Sequence, residues 1–282
     1  MKKSQRIHFV KMQGAGNDFI VIDHQLGLDY AAFAKKACDR HMGIGADGVL
    51  VLDESTAAEH RMRIINADGS EAEMCGNGAR CMAVYIARKF AVLPEVFGIE
   101  TLAGVIRATV DGETAAVKLS DPKEYRPNIE IKIGDQKLSG HFINTGVPHT
   151  IVFVEGLSEF DVNGLGRVIR QHKVFAPKGT NVNFVQKIKE GYVELRTYER
   201  GVEAETLACG TGSVAAALVG YLQGFKELKP AQDANIKVVT KSGEILDVTF
   251  DLEVKDAKPV ITNVWLKGSG KFICKGEYYY GI

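Results

Sequence analysis

The sequence contains one cysteine motif twice. Residues 69–78 read GSEAEMCGNG, and residues 201–212 read GVEAETLACGTG. Two further segments repeat in the same order: GAGNDFIVID at 14–23 with GVPHTIVFVE at 146–155, and GADGVLV at 45–51 with GTNVNFV at 179–185. In this alignment Asn17 matches His149, and Asp47 matches Asn181. A period this long predicts two similar domains rather than a stack of short repeats.

Strand-like segments rich in β-branched residues dominate both halves. Helical patterns interrupt them at residues 30–40, 76–90, 165–173 and 210–222. The second and fourth carry almost no charge within 79–87 and 213–222, so these helices are expected to be buried. We therefore predict a mixed α/β fold of two pseudo-symmetric domains, with the active site in the cleft between them. Each domain would be a β-sheet wrapped around one central helix.

The polar, proline-containing segment from Asp121 to Pro127 is the expected domain boundary. It predicts an N-terminal domain of residues 1–121, completed by a C-terminal strand at 271–282. The C-terminal domain would then comprise residues 122–270.

Composition narrows the functional class. The 35 basic and 35 acidic residues cancel, so no overall field attracts nucleic acid or an anionic membrane. The N-terminal residues lack the apolar core of a signal peptide, and no segment is long enough to span a bilayer. The five cysteines are odd in number and are not spaced as a disulfide framework. Together these features predict a cytoplasmic protein whose thiols stay reduced.

Each repeated cysteine precedes a glycine-containing tripeptide, Gly-Asn-Gly or Gly-Thr-Gly, and then a helix. Free amide donors and the helix dipole at such a start favour a carboxylate, and they also favour thiolate over thiol. With an α-amino acid held at both helix starts, one thiolate could remove the α-proton while the opposite thiol returns one. Such a reaction requires neither a metal nor a cofactor.

The other three cysteines lack this setting. A single buried cysteine usually serves as a small apolar core residue, and we assign Cys38, Cys81 and Cys274 that structural role. Cys75 and Cys81 have no C-x-x-C partner, so a zinc site is not expected.

Six segments of the chain resemble the diaminopimelate epimerase family, amino-acid epimerases that work without pyridoxal phosphate. They are GAGNDF at 14–19, GIGADG at 43–48, NADGSEAEMCGNGARC at 66–81, GVPH at 146–149, GTNVNF at 179–184 and YERGVEAETLACGTG at 198–212. The two cysteine segments are long and specific, and the resemblance extends over essentially the whole chain.

The resemblance implies roles for individual residues. Cys75 and Cys209 would be the acid/base pair, with His149 and Glu199 as further catalytic residues that tune the thiols and orient the substrate. The residues expected to bind substrate are Asn17, Asn66, Gly76, Asn77, Asn181, Glu199, Arg200, Gly210 and Thr211. Among these, Gly76, Asn77, Gly210 and Thr211 would cradle the carboxylate at the reacting carbon. Arg200 would bind the distal carboxylate, a role that suits a planar guanidinium.

The residues themselves leave other interpretations open. His149 follows a proline and could lie in a turn, and Asn17 and Asn66 could cap turns. The chain also departs from the family pattern at three positions. Gly48 and Val147 stand where members often carry glutamine and asparagine that help to hold the substrate. Cys274 stands where many members carry an aromatic residue of the dimer contact, so the homodimer that the resemblance implies would lack that contact.

The function implied by the resemblance is interconversion of LL- and meso-2,6-diaminopimelate, in lysine and cell-wall precursor synthesis. One alternative is a two-thiol racemase for another amino acid, such as a proline-racemase-like enzyme. The phenazine isomerase relatives share the architecture, but both cysteines are present here. A non-catalytic alternative is a small-anion binding protein. Its glycine-rich helix starts would hold phosphate, although no Lys-Ser/Thr follows them as in a P-loop.

Overall fold

The computed structural model of the chain describes residues 5–224 and 229–281. Within these residues the α-helices are α1 (Tyr30–Ala37), α2 (Gly76–Lys89), α3 (Val162–Arg170) and α4 (Gly210–Leu222). Short 3₁₀ turns lie at Leu157–Glu159 and Lys173–Phe175. No helix of this part of the chain is long and apolar enough to cross a membrane.

The strands of the first half are β1 (Gln5–Gly14), β2 (Asn17–Asp23), β3 (Gly48–Asp53), β4 (His60–Asn66), β5 (Glu71–Ala72), β6 (Phe97–Thr101), β7 (Gly104–Asp111) and β8 (Thr114–Lys118). Those that follow are β9 (Lys123–Ile133), β10 (Gln136–Asn144), β11 (Pro148–Phe153), β12 (Asn181–Lys189), β13 (Tyr192–Glu199), β14 (Ala204–Thr206), β15 (Ala231–Val239), β16 (Ile245–Lys255), β17 (Lys258–Ser269) and β18 (Lys271–Tyr280).

The chain forms two compact units. Unit 1 extends to Val117 and takes in the chain from Lys267 onward, and unit 2 is Lys118–Leu266. The division expected from the sequence, after residues 121 and 270, lies a few residues further along the chain. In unit 1 the C-terminal strand β18 pairs antiparallel with β1.

The polar segment that was expected to mark the domain boundary lies largely within a strand. β9 begins at Lys123, includes Pro127 and pairs antiparallel with β10. Most of its residues are exposed, and Glu124 and Asn128 have positive φ angles. Proline and irregular backbone are tolerated in strands where ladder bonds are missing. The sequence of such a polar strand therefore resembles that of a loop.

The two units repeat one series of strand pairings. In unit 1, β1–β2 is antiparallel, β2–β3 parallel, β3–β4 and β4–β5 antiparallel, and β4–β6 parallel. In unit 2, β10–β11 is antiparallel, β11–β12 parallel, β12–β13 and β13–β14 antiparallel, and β13–β15 parallel. Parallel neighbours need a crossover, and α2 and α4 occupy equivalent crossovers. Each repeated cysteine immediately precedes one of these two helices.

The crossover helices are the centres of the units. α2 packs against β1, β2, β3, β4 and β7, and α4 packs against β10, β11, β12, β13, β15 and β16. α4 has no charged residue, and Val214, Leu218 and Leu222 are among its buried side chains. Burying each such side chain stabilises the fold by about 1.5–3 kcal/mol. The predicted mixed α/β class is confirmed.

Candidate active site

Cys75 is the N-cap residue of α2 and has extended backbone, with φ −143° and ψ 116°. Its sulfur accepts a hydrogen bond from the Gly78 amide, with 3.5 Å between Sγ and N. Because that amide is one of the first-turn donors that have no partner within the helix, this bond places the sulfur at the positive end of the helix dipole. Both effects favour the thiolate form of Cys75.

Asn17 lies against the same sulfur. Its Oδ1 atom is 3.7 Å from Sγ of Cys75, which a thiol hydrogen can bridge, and 3.5 Å from Nδ2 of Asn77. The Nδ2 atom of Asn17 donates to a carboxylate oxygen of Asp47 at 2.5 Å. Arg40 holds the other oxygen of Asp47 at 2.8 Å. The Asn17 side chain is therefore fixed from behind while its carbonyl oxygen faces the thiol.

A fully buried arginine underlies this helix start. Arg80 donates to Oδ1 of Asn77 at 3.0 Å, and to the carbonyl oxygens of Gly76 and Ser269 at 3.5 and 3.4 Å. Burying a guanidinium is costly unless its donors form hydrogen bonds, so these three acceptors are needed to keep Arg80 buried. We did not predict a role for Arg80. Its signal was present, because it is the only charge within residues 79–87.

Cys209 occupies the equivalent place in unit 2. It is the N-cap residue of α4, with φ −123° and ψ 112°, and it is 8% exposed. Its sulfur lies 3.6 Å from the hydroxyl oxygen of Thr211. Gly212 has no room for a side chain, since a Cβ there would lie 2.6 Å from Oδ1 of Asn183 and 3.2 Å from Sγ of Cys209.

His149 joins this half-site from strand β11, where it is fully buried. The structure therefore does not support the alternative that it lies in a turn. Its Nε2 is 3.0 Å from the Thr211 hydroxyl, and its Nδ1 is 3.1 Å from Nδ2 of Asn183. Burial lowers the pKa of His149 to about 3, and the positive charge of Arg200 acts in the same direction. The imidazole is therefore neutral near pH 7.

Asn181, the first residue of β12, links the start of β11 to the turn that follows β13. Its Oδ1 accepts the backbone amide of Arg200 at 2.8 Å, and its Nδ2 donates to the Pro148 carbonyl at 3.0 Å. The Arg200 side chain donates to the Lys178 carbonyl at 3.2 Å. Burial raises the pKa of Glu199. The Asn181 amide thus fixes the backbone that carries Arg200.

Asn66 and Gly48 are neighbours in the β3–β4 ladder of unit 1. The exposed Asn66 side chain donates to the Ser70 hydroxyl at 2.9 Å, as expected of a residue that stabilises the following turn. A Cβ on Gly48 would lie 2.9 Å from the Ile65 carbonyl oxygen. Backbone packing between β3 and β4 therefore accounts for the glycine at a position where a glutamine was expected from the family pattern.

The structure brings eight of the predicted residues together, four in each unit, and does not include Asn66 or Glu199 in either group. Unit 1 groups Asn17, Cys75, Gly76 and Asn77, and unit 2 groups His149, Cys209, Gly210 and Thr211. In unit 2 Asn181 also holds Arg200, through the Arg200 backbone amide. Asn183 and Thr197 were not predicted; the segment GTNVNF contains Asn183, but nothing in the sequence marks the side chain as buried. Within residues 5–224 and 229–281, no cluster of three or more His, Cys, Asp or Glu side chains could hold a metal ion.

Comparison with known proteins assigns the chain to a family. The family model described as diaminopimelate epimerase matches residues 9–123 and 141–262. A diaminopimelate epimerase from Hydrogenobaculum sp. (strain Y04AAS1) is 44% identical, covering 96% of this chain and 98% of the relative. One from Aquifex aeolicus (strain VF5) is 43% identical, covering 96% and 97%.

Solved structures share the fold at lower identity. A Bacillus anthracis phenazine biosynthesis protein of the PhzF family has a TM-score of 0.72 and 17% identity, covering 97% of this chain and 99% of its own. A probable proline racemase from Agrobacterium radiobacter K84, solved with bound carbonate, has a TM-score of 0.71 and 15% identity, covering 97% and 93%. With the family model and the relatives above in agreement, the chain belongs to the diaminopimelate epimerase family, which is a family of isomerases.

Proposed function

We propose that this protein interconverts LL-2,6-diaminopimelate and meso-2,6-diaminopimelate by proton transfer at the α-carbon between two cysteines, without a cofactor. The observation that carries the proposal is the equivalent placement of Cys75 and Cys209. Each is the N-cap residue of the central helix of its unit. Duplication of a helix start that favours an anion supplies two thiols of matched chemistry.

The proton balance is simple. The thiolate of one cysteine removes the α-hydrogen as a proton, and the electron pair of the broken C–H bond moves toward the substrate carboxylate. The thiol of the other cysteine then gives its proton to the opposite face of the carbon. The first sulfur ends protonated and the second ends as thiolate, so the pair is set for the reverse direction. The proposal requires the two sulfurs to flank one carbon.

Backbone amides at the two helix starts are the proposed stabilisers of the charge that develops on the carboxylate. Gly76 and Asn77 supply them in unit 1, and Gly210 and Thr211 supply them in unit 2. Preorganised donors of this kind act without reorganisation during the reaction. The glycines permit close approach of the substrate because they carry no side chain.

The remaining polar residues are proposed to hold the rest of the substrate. Arg200 would pair with the distal carboxylate, and Asn181 would hold the backbone of Arg200. Glu199 has a raised pKa and would bind the distal ammonium group or help to tune a thiol. Asn17 and Asn66 would contribute amide contacts from unit 1. Reduced thiols are required, which fits a cytoplasmic enzyme, and the homodimer implied by the resemblance belongs to the same proposal.

A second candidate is a two-thiol epimerase for another amino acid. It is favoured by Gly48 and Val147, which replace side chains expected to contact the substrate. The test is to assay the purified chain, without added cofactor, on diaminopimelate, lysine, histidine, glutamate and proline, with chiral analysis of the products. Turnover of diaminopimelate alone supports the first proposal. Equal or faster turnover of a monocarboxylate would transfer the assignment to the second, and no turnover of any substrate would refute both.

A further inference from the structure

Behind Cys209 lies a series of hydrogen-bonded polar side chains that was not predicted from the sequence; Thr211 is partly exposed, and the side chains beyond it are buried. It extends from the sulfur through the Thr211 hydroxyl and His149 to Asn183 and Thr197. His149 and Asn183 are fully buried, and Thr197 is 2% exposed. Buried polar groups are costly unless they are satisfied, so the direction of each hydrogen bond can be worked out from its partner.

The orientation of the Asn183 amide is fixed at both ends. Its Nδ2 atom lies 3.3 Å from the carbonyl oxygen of Thr150, which can only accept, so the NH₂ group must face it. Its Oδ1 atom accepts from the Thr197 hydroxyl at 3.0 Å. The same NH₂ group is 3.1 Å from Nδ1 of His149. That nitrogen must therefore be the acceptor and carry no hydrogen.

A neutral imidazole with an unprotonated Nδ1 carries its hydrogen on Nε2. Nε2 then donates to the Thr211 oxygen, 3.0 Å away. The single hydroxyl hydrogen of Thr211 cannot also point at Nε2. Among the residues that the structure describes, the other partner of that oxygen is the sulfur of Cys209 at 3.6 Å.

We propose that Asn183 is a positioning residue that fixes His149 as its Nε2–H tautomer. Because Nε2 of that tautomer donates to the Thr211 oxygen, the Thr211 hydroxyl can direct its own hydrogen to the sulfur of Cys209. A hydrogen bond to the charged form of a group stabilises that form. The hydrogen bond from Thr211 therefore favours the Cys209 thiolate, although Thr211, His149 and Asn183 carry no charge. The inference rests on the proposed function only in treating Cys209 as a reactive thiol.

The glycine at position 212 is consistent with this role of Asn183. A Cβ atom on residue 212 would lie only 2.6 Å from Oδ1 of Asn183. The first turn of α4 therefore packs directly on the Asn183 amide. The glycine therefore leaves room for the Asn183 side chain.

The test uses three measurements that need no substrate. Nitrogen-15 NMR of the histidines reports the His149 tautomer, and the pH dependence of iodoacetamide alkylation at Cys209, followed by peptide mass spectrometry, reports its thiol pKa. Thermal unfolding reports whether each variant is folded. In the unsubstituted protein we expect a neutral Nε2–H imidazole from about pH 5 to about pH 8, the range in which an ordinary histidine changes its charge.

Asn183→Asp should invert the tautomer, because a carboxylate accepts from Nδ1–H. Nε2 would then accept the Thr211 hydrogen, and the Cys209 thiolate would lose its donor. At a fixed pH below the thiol pKa, the alkylation rate should fall by about tenfold, which corresponds to one pKa unit. Asn183→Leu, which can hold no tautomer, should give a smaller fall and serves if the aspartate variant does not fold.

A double-mutant cycle distinguishes an effect of Asn183 that passes through Thr211 from a direct effect of the new carboxylate charge on Cys209. In a Thr211→Val background, Asn183→Asp should change the alkylation rate little, since the connecting hydroxyl is gone. The matched control is Thr150→Val. It removes a buried hydroxyl on the same strand, 3.0 Å from the Thr180 hydroxyl, and should leave tautomer and thiol pKa unchanged.

Three outcomes would overturn the inference. They are an Nδ1–H tautomer in the unsubstituted protein, an Nε2–H tautomer that persists in Asn183→Asp, and an equal rate change with and without the Thr211 hydroxyl. If the tautomer and thiol results hold but no amino acid is epimerised, the proposed function fails and the positioning role of Asn183 stands.

Discussion

The starts of helices α2 and α4 carry the same cysteine motif, yet each thiol is supported in a different way. In unit 1, Cys75 accepts the Gly78 amide and Arg80 lies buried at the fifth helical position. In unit 2, Val214 occupies the matching position, and the Cys209 sulfur contacts a hydroxyl backed by neutral buried side chains. The backbone arrangement has been kept after duplication, while the means of stabilising a thiolate have diverged.

Asn17 and His149 illustrate this divergence at one pair of positions. They match in the sequence repeat, and each supports the thiol of its own unit. Asn17 reaches the sulfur of Cys75 directly, and His149 reaches Cys209 through Thr211. The repeat therefore conserves which positions serve the thiol while the side chains and their contacts differ.

The largest expected effect is the loss of either thiol. Cys75→Ala and Cys209→Ala should each lower kcat/KM for epimerisation by about a thousandfold or more, since each removes a general acid/base. Cys274→Ala is the matched control, because this exposed thiol lies in β18 and should leave kcat/KM unchanged. Near-normal activity in one of the two active-site variants would show that the units are not equivalent partners in the reaction.

The next effect concerns the buried cation of unit 1. Arg80→Leu should lower the free energy of unfolding by about 2–4 kcal/mol, because Asn77, Gly76 and Ser269 lose a hydrogen-bond donor. It should also lower kcat/KM by about tenfold, since the Asn77 side chain would no longer be held. Urea unfolding and initial rates measure the two effects.

Val214→Ala is the counterpart in unit 2. It should cost only about 1–2 kcal/mol for the lost methyl groups and leave kcat/KM within about twofold. If both substitutions had the same effect on activity, the role given to the Arg80 hydrogen bonds in unit 1 would be wrong.

A smaller effect should separate the two glycines at the third helical position. A Cβ at residue 212 would meet Asn183 at 2.6 Å, whereas one at residue 78 would meet only the end of the Leu50 side chain, at 3.1 Å, and Cys75 and Phe19 at 3.6 Å. Gly212→Ala should therefore cost about 1–3 kcal/mol of stability and about tenfold in kcat/KM. Gly78→Ala should change both much less. The reverse ranking would contradict the packing described for unit 2.

The last effect concerns stability alone, and it is a dependence on pH that belongs to unit 2. The pKa of His149 is about 3 in the folded protein, below its ordinary value of 6.5. Between those values the unfolded chain binds more protons, so stability falls as pH decreases from 6.5 toward 3 and is complete above 6.5. The slope from this residue is about 1.4 kcal/mol per pH unit.

Urea unfolding at pH 4.5, 5.5 and 7 measures this slope. His149→Gln, which cannot titrate, should show a flatter dependence than the unsubstituted protein. An unchanged slope in the variant would show that His149 is not the group that takes up protons on unfolding.

The sequence was sufficient for the outline of the fold because duplication and hydrophobic pattern are both local signals. The repeated cysteine motif located α2 and α4, and the absence of charge in α4 indicated its burial. β9 was missed because an exposed strand with Pro127 lacks that pattern. Asn183 and Thr197 were missed for a different reason: whether a polar side chain is buried beside a thiol depends on strand pairing, which the sequence does not display.

The central claim is that two thiols act on opposite faces of one carbon. It is tested most directly by incubating the cofactor-free protein with LL-diaminopimelate in deuterium oxide and stopping at low conversion. A thiol carries one exchangeable hydrogen, so a two-thiol reaction predicts deuterium at the inverted α-carbon of the meso product and none in the recovered LL substrate. Product that retains the original α-hydrogen, or substrate that gains deuterium as fast as product forms, would contradict the claim.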